Sequence, residues 1–238
     1  MKIIFQMLFV FACLTSLCAA EQELFLRQNL GRAQTGDYIV TAQNKSYTVL
    51  LVRSVSDKNI VIEEITLPVC KVPQKFMGWR QWLESGAKGN TCWVSYDIFL
   101  FDGSISKAFS YTRNEWFSVS QSQNFLSTLL NLSLKPIPMN ERKKIGPPPN
   151  SGTPDRRSIW QPQLVVDGQQ VSDVVFDGWR TRWPKDGGEL SGKAIEIYVP
   201  QDQGHYPSYF PYWLQVSGMV GKAKVRIIDS GTQLRVQG

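Results

Sequence analysis

Residues 38–65 read YIVTAQNKSYTVLLVRSVSDKNIVIEEI and contain three runs rich in β-branched and aromatic residues. The runs cover residues 38–42, 47–52 and 60–65, and polar turn residues lie between them. Such runs, bounded by Gly, Asp, Asn, Lys and Ser, are typical of consecutive β-strands. We therefore predict a strand meander over this stretch.

The rest of the chain shows the same kind of pattern on both sides of its middle. Asp102-Gly103 and Asp167-Gly168 are favoured two-residue hairpin turns, and apolar runs flank each of them. Further strands are expected over residues 91–101, 104–111, 164–166, 171–176, 194–199, 212–216 and 224–228. Helical spacing of apolar residues predicts short helices over residues 74–84 and 122–132. The expected fold is mainly β, a β-rich α+β chain with two small β-lobes and one or two short helices.

A basic segment rich in proline and glycine divides the two lobes. Residues 135–157 carry 6 basic and 2 acidic side chains, which is most of the excess positive charge of the chain. Prolines and glycines favour an extended surface connection. We predict an N-terminal lobe over residues 21–134, a linker over 135–160 and a C-terminal lobe over 161–238. No aromatic residue lies between Phe125 and Trp160, so we expect no nucleic-acid partner, while peripheral contact with an acidic membrane surface stays open.

The N-terminus resembles a secretory signal. Lys2 precedes an apolar run that ends in the small residues Ala19 and Ala20, and polar residues begin at Glu21. We predict cleavage after Ala20, with residues 1–20 as the signal peptide and export to the periplasm or outer envelope. Two alternatives remain, an uncleaved N-terminal anchor helix and a lipid anchor.

Cleavage there would leave Cys70 and Cys92 as the two cysteines of the mature chain. In an oxidising compartment such a pair is expected to form a disulfide. Closing a loop of about 22 residues would stabilise the fold by about 3 kcal/mol. The alternative is two unpaired thiols.

Two short motifs occur in the same order in both halves. Gly78-Trp79-Arg80-Gln81-Trp82 is similar to residues 178–183, Gly-Trp-Arg-Thr-Arg-Trp. Ser110-Tyr111 precedes Trp116, as Ser208-Tyr209 precedes Trp213. Two interpretations follow, a duplicated β-unit or unrelated strands that share tryptophan and serine.

Tryptophan is abundant, with eight residues in the chain. These side chains either anchor the cores of the lobes or form an exposed surface for sugar rings or a peptide, with arginines beside them as hydrogen-bond donors. The binding hypothesis combines the tryptophan–arginine motifs with the irregular loop around His205. Its candidate residues are Trp79, Arg80, Trp179, Arg180, Arg182, Trp183, His205, Tyr209 and Tyr212.

The sequence lacks the patterns of common catalytic and metal centres. His205 is the single histidine, so a Ser-His-Asp arrangement would have to use it, and no Gly-x-Ser-x-Gly motif accompanies it. The Asp229-Ser230-Gly231 sequence has no second copy, as an aspartic protease would require. We therefore assign no catalytic residue, metal or cofactor. Carboxylate pairs for hydrolysis could be drawn from Asp97, Glu115, Asp177, Glu189 and Glu196, but their separation in space decides that chemistry.

Several motifs resemble a family of uncharacterised exported proteins of chlamydia-type intracellular bacteria. The similarity extends over most of residues 36–231. It rests on residues 127–132, 142–146, 183–186, 190–193, 210–216 and 228–231. The resemblance implies a bacterial envelope location and no particular activity.

Together these patterns favour an exported, non-enzymatic interaction protein that binds a protein or glycan of the envelope. The alternative is an envelope hydrolase that acts on a glycan or peptide through carboxylates or His205.

Overall fold

The computed structural model describes residues 23–43, 45–119, 124–218 and 221–235. Strands account for 41% of the structure and helices for 11%, which confirms the mainly β fold. The strands are β1 Tyr38–Gln43, β2 Ser46–Val55, β3 Asn59–Pro68, β4 Cys92–Phe99, β5 Ile105–Ser110, β6 Glu115–Phe117, β7 Lys135–Pro136, β8 Leu164–Val166, β9 Gln169–Val171, β10 Phe176–Arg182, β11 Ala194–Pro200, β12 Trp213–Gly218 and β13 Gly221–Gly231. The α-helices are α1 Trp79–Glu84 and α2 Phe125–Leu130, and 3-10 helices cover Leu26–Arg32 and Val69–Lys71.

Eleven of these strands form one sheet, in the order β6-β5-β4-β3-β2-β1-β13-β12-β11-β10-β7. Neighbouring strands pair in antiparallel fashion, from β1 with β2 to β12 with β13. The predicted meander is confirmed, since its three runs fall within β1, β2 and β3. Strands β8 and β9 form a separate hairpin whose turn residues, Asp167 and Gly168, both have positive φ, as a two-residue turn of this type requires.

Strands β1 and β13 are the first and last strands along the chain, and their pairing within the large sheet joins the two halves. Tyr38 pairs with Gly231 and Ile39 with Ser230, so β1 and β13 are neighbours. The larger hydrophobic core takes residues from both halves, including Ile62 from β3 and Ile195 from β11. The smaller core lies under α1 on the other face of β1 to β3 and includes Val40, Leu67 and Trp82. The two predicted lobes thus share one sheet and one of its cores.

The segment predicted as an extended linker is folded onto the C-terminal strands. Pro136 in β7 pairs with Trp179 at the edge of the sheet. Farther along, the amide of Trp160 donates to the carbonyl of Lys143 at 2.8 Å, and Asp155 accepts from Lys144. Both ends of residues 135–160 are therefore held by backbone pairing, one at β7 and the other at Trp160.

The predicted signal peptide, residues 1–20, lies outside the described residues. Within the part of the chain that the structure describes, no helix has the length and apolarity needed to cross a membrane.

The predicted disulfide is absent from the structure, in which Cys70 and Cys92 are both free thiols. Cys70 is exposed in the 3-10 helix after β3, whereas Cys92 is half-buried at the start of β4. Thr66 is the residue of β3 that pairs with Cys92, so Cys70 lies four residues beyond the register position that faces Cys92.

The two copies of the Gly-Trp-Arg motif lie on different kinds of element. Trp79 and Arg80 begin helix α1, while Trp179 and Arg180 lie in strand β10. Similar residues in a helix and in a strand do not occupy equivalent positions, so this motif gives no support to a duplicated unit.

Candidate functional site

Five aromatic residues of the predicted binding set are buried. Trp79 packs in the smaller core, and the others belong to the larger core. These others are Trp179, Trp183, Tyr209 and Tyr212. The indole of Trp183 donates to Asp186 at 2.9 Å, and its ring stacks on Phe125. Because these rings are enclosed by the protein, the structure places them as core anchors and does not form the exposed stacking surface predicted from them.

The arginines of the predicted set are engaged with other parts of the chain. Arg80 forms two hydrogen bonds to the carboxylate of Asp167, at 2.8 and 2.9 Å, and a third to the carbonyl of Thr232. Arg180 pairs with Glu141, and Arg182 donates to the carbonyl of Gly192. Arg80 therefore ties helix α1 to the turn of the β8–β9 hairpin.

His205 lies on an exposed loop, where Nδ1 is 2.6 Å from the carboxylate of Asp202. The loop borders a polar pocket of 190 Å³ that Arg32 and Asp37 also line. Within the described residues, no serine or cysteine hydrogen-bonds to the His205 ring, so the structure does not assemble a nucleophile–histidine pair there. Among all the residues that the structure describes, no group of three or more His, Cys, Asp or Glu side chains could hold a metal ion.

A larger groove crosses the face of the sheet that carries the larger core. Its volume is 470 Å³, and helix α2 and the loop before β11 form its margins. The groove is lined by Thr41, Gln43, Thr48, Leu50, Glu64, Tyr96, Asn124, Phe125, Leu126, Glu189, Leu190, Phe210, Leu214, Val216, Ala223 and Val225. Aliphatic and aromatic side chains therefore supply most of the wall, and a few polar groups converge in it, as in most small-molecule sites.

Strand alternation explains how β3 supplies one polar group to this groove. Successive side chains point to opposite faces, so Glu63 and Glu64 lie on different sides of the sheet. Glu63 approaches Arg53 and accepts from Tyr111, while Glu64 lines the groove. Two adjacent acids in an otherwise apolar strand are the sequence signal for a polar group on each face of the sheet.

Burial raises the pKa of Glu64, and a hydrogen bond from the Tyr96 hydroxyl partly opposes that rise. Burial, followed by the charge and hydrogen bond of Glu64, raises the pKa of Tyr96. Asn124 also contacts Tyr96, and its side chain accepts from the amide of Ser127 at the start of α2. Glu64, Tyr96 and Asn124 thus form a fixed polar cluster in an apolar wall.

The charge of the groove is acidic although the chain as a whole is basic, with a formal net charge of +6. Glu64 and Glu189 contribute carboxylates, and no basic residue is among the described lining residues. Along β13, Ala223 and Val225 line the groove, while Lys224 and Arg226 alternate onto the opposite face.

Comparisons with known proteins connect the chain to one family and one fold. No curated protein matches the chain. The solved structure of the hypothetical protein CT021 from Chlamydia trachomatis has a similar fold, with a TM-score of 0.62 and 18% sequence identity. The match covers 90% of this chain and 95% of that one. The family model described as CT021 protein matches residues 48–172, from β2 to just beyond β9, which confirms the resemblance to a chlamydial family. The chain belongs to the CT021 protein family.

Proposed function

We propose that this chain is a non-enzymatic binding protein whose groove holds the apolar part of a small amphipathic ligand. The observation that carries the proposal is a 470 Å³ groove with mostly apolar walls and one fixed polar cluster. Ligand pockets commonly have volumes of about 300 to 1,000 Å³ with this division of apolar walls and few polar groups.

The polar groups favour binding over hydrolysis. Glu64 is held by the Tyr96 hydroxyl at the groove wall, and Asn124 is held at the start of α2. Such fixed groups orient the head of a ligand. A hydrolase would need a second acid or base across the bond to be broken, and the other carboxylate of the groove, Glu189, lies in the loop before β11. Release of products from ester or amide probes would reveal such chemistry.

The acidic lining favours a ligand with a positive or neutral head. An ammonium group beside Glu64 would favour the ionised form of this carboxyl and be attracted by its charge, whereas a carboxylate there would be repelled and would lose its water. The preferred ligand therefore carries an amine, and an alcohol of the same length is the next best.

We also propose that the protein acts in the bacterial envelope after export. The signal-like sequence of residues 1–20 supports this location. N-terminal sequencing of the native protein should begin at Glu21, and a native protein that begins at Met1 in the cytosol would contradict the export proposal.

The binding proposal can be tested with three matched probes, dodecylamine, dodecanol and dodecanoate, each below its micelle concentration. In calorimetric titrations at pH 7.5 we expect the amine to bind most tightly and the carboxylate least. Ala223→Phe should fill the groove and abolish binding of all three. Ala42→Phe adds the same side chain on the opposite face of the sheet and should leave binding unchanged.

Two results would overturn the proposal. Equal affinities in the original chain and in folded Ala223→Phe would remove the groove as the site. Conversion of esters or amides of the same probes into products, with loss of that conversion in Glu64→Gln, would make the protein a hydrolase.

A further inference from the structure

Two half-buried tryptophans meet on the opposite face of the C-terminal strands. Their ring centroids are 4.9 Å apart, with Trp160 at the end of the basic segment and Trp213 at the start of β12. Lys143 Nζ lies 4.5 Å from the Trp160 centroid, and Lys224 Nζ lies 5.5 Å from the Trp213 centroid. We call Lys143, Trp160, Trp213, Lys224 and the adjacent Arg226 the tryptophan–lysine surface.

Two hollows adjoin this surface and share Trp213, Arg226 and Ile228. One has a volume of 410 Å³ and extends toward Gln163, and the other has a volume of 480 Å³ and extends toward Gln43. The surface is therefore concave on both sides of Trp213. An extended ligand could occupy both hollows and cross the Trp213–Arg226 ridge between them.

The positive charges of this surface are available to a partner. Among the described residues, Lys143, Lys224 and Arg226 form no ion pair, although Lys144 and Arg157 in the same basic segment both pair with Asp155. Neither hollow has an acidic residue among its described lining residues. Three cations that have no ion-pair partner among the described residues, beside hollows that no described acidic residue lines, produce a local field that favours an anionic ligand.

The remaining lining groups fit a sugar chain. Gln43, Gln163 and Ser46 border the hollows with amide and hydroxyl groups, which hydrogen-bond to sugar hydroxyls. Trp213 and Tyr47 supply aromatic surface against which the C–H faces of a sugar ring can pack. A lipid bilayer would instead be met by aromatic side chains that protrude, and these rings are half-buried between hollows.

We propose that the tryptophan–lysine surface binds an acidic oligosaccharide. Its carboxylates contact Lys143, Lys224 and Arg226, and its rings lie in the two hollows beside Trp213. This site lies on the opposite face of the sheet from the groove of the proposed function, because Lys224 and Arg226 point away from the groove, and Gln43 at the end of β1 borders both.

The test uses the full chain and two probes of the same length, hexagalacturonic acid and its neutral methyl ester. In calorimetric titrations at low salt, we expect the acid to bind. The affinity of the ester should be lower by about tenfold or more. Affinity for the acid should fall as salt is raised, because the contacting charges are exposed.

Charge variants locate the site. Lys224→Gln with Arg226→Gln should weaken binding of the acid by about tenfold or more. Lys75→Gln with Lys88→Gln removes the same charge from exposed positions elsewhere and should have little effect. Trp213→Leu should also weaken binding, and the charge variants keep the test valid if that chain fails to fold. The groove variant Ala223→Phe should bind the acid normally, which separates this proposal from the proposed function.

Three outcomes would overturn the proposal. Equal losses in the two double variants would show attraction to the overall charge alone. Equal binding of acid and ester would remove the role of the cations. Tighter binding of oligothymidylate, or of vesicles that contain phosphatidylglycerol, would assign the surface to a nucleic acid or to a membrane.

Discussion

Asp37 is a buried carboxylate with an incomplete set of hydrogen bonds. Its side chain accepts from the Gln34 amide at 2.8 Å through Oδ2, while Oδ1 is buried and has no partner among the described residues. Burial raises the pKa of Asp37, and the Gln34 hydrogen bond only partly opposes that rise. The folded protein thus binds this proton more tightly than the unfolded chain does. Stability from this group is complete below the unfolded pKa and is lost as pH rises through the higher folded pKa.

We expect Asp37→Asn to be more stable than the original chain at pH 7 by about 1 kcal/mol, since the amide oxygen keeps the Gln34 bond and no charge is buried. The difference should shrink as pH falls, because the raised pKa lets the original carboxyl take up its proton at a higher pH than in the unfolded chain. Urea unfolding of both proteins between pH 4 and 8 measures this difference. A variant that is less stable at pH 7 would show that the ionised carboxylate is favourable there.

Gly231 lies where β13 meets β1 and the β8–β9 turn, with no room for a larger residue. An added Cβ would be 2.5 Å from Tyr38 Cε1 and 2.6 Å from Asp167 Oδ1. The Tyr38 ring is fully buried, and the Asp167 carboxylate is held by hydrogen bonds from Tyr38 and Arg80. Gly231→Ala should therefore lower the free energy of unfolding by about 1 to 3 kcal/mol. Gly204→Ala is the control, because the atom nearest to its added Cβ is 3.7 Å away. Equal stabilities of the two variants in urea would contradict this account.

The burial of individual side chains was harder to predict from the sequence than the strands and helices. Trp179 is 6% exposed and Trp116 is 63% exposed, yet both lie in strands and have polar neighbours in sequence. An indole is stable in either environment, since it has a large apolar surface and one polar N–H. The local sequence therefore could not decide which tryptophans face solvent, and Trp160 and Trp213 were not selected as binding residues.

Elements with local signals were predicted well. Both Asp-Gly pairs lie between strands, but only Asp167-Gly168 forms the predicted two-residue turn, between β8 and β9. Asp102-Gly103 lies in a longer loop between β4 and β5, residues 100–104, in which Gly103 but not Asp102 has positive φ, so the two-residue turn predicted there is wrong. Helix α2 begins at a signal of the same kind, since the Asn124 side chain caps it. By contrast, the Gly-Trp-Arg motif has no local preference strong enough to specify one element, so its copies fold as a helix and a strand.

Arg80 and Asp167 connect two elements that are far apart in sequence, α1 and the β8–β9 turn. Although burial opposes it, the Arg80 and Tyr38 hydrogen bonds hold the pKa of Asp167 below its usual range. A double-mutant cycle with Arg80→Gln and Asp167→Asn should give a coupling energy of about 1 kcal/mol, at the upper end for exposed pairs because the contact is bidentate. Asparagine tolerates the positive φ of position 167, so the turn is preserved.

The same cycle on Arg113 and Glu115 is the matched control. These side chains are 3.6 Å apart and more exposed, so their coupling should be close to zero. The Arg80–Asp167 coupling should also decrease in about 1 M salt through screening. Equal couplings for the two pairs would mean that the bidentate contact does not hold the hairpin to the helix.

At the scale of the molecule, the sequence predicts the strands but not their neighbours. The pairing of β1 with β13 joins residues almost two hundred positions apart, and no local pattern specifies it. The groove has the same origin. Its wall combines Thr41, Glu64, Asn124, Glu189 and Leu214, which the shared sheet brings together. A site built from non-local pairing is visible only once the strand order is known.

The shared sheet and core predict that the two halves of the chain unfold together. Ile62 in β3 and Ile195 in β11 are both fully buried in the larger core, so either change to alanine should cost about 2 to 5 kcal/mol. We expect each variant to accelerate hydrogen exchange equally in residues 59–68 and in residues 194–200, measured by mass spectrometry at increasing urea. The amides of both strands are held by pairing within one sheet, so opening of that sheet should expose both. Acceleration confined to residues 59–68 in Ile62→Ala, and to residues 194–200 in Ile195→Ala, would instead show that the lobes on either side of residues 135–160 are stable independently.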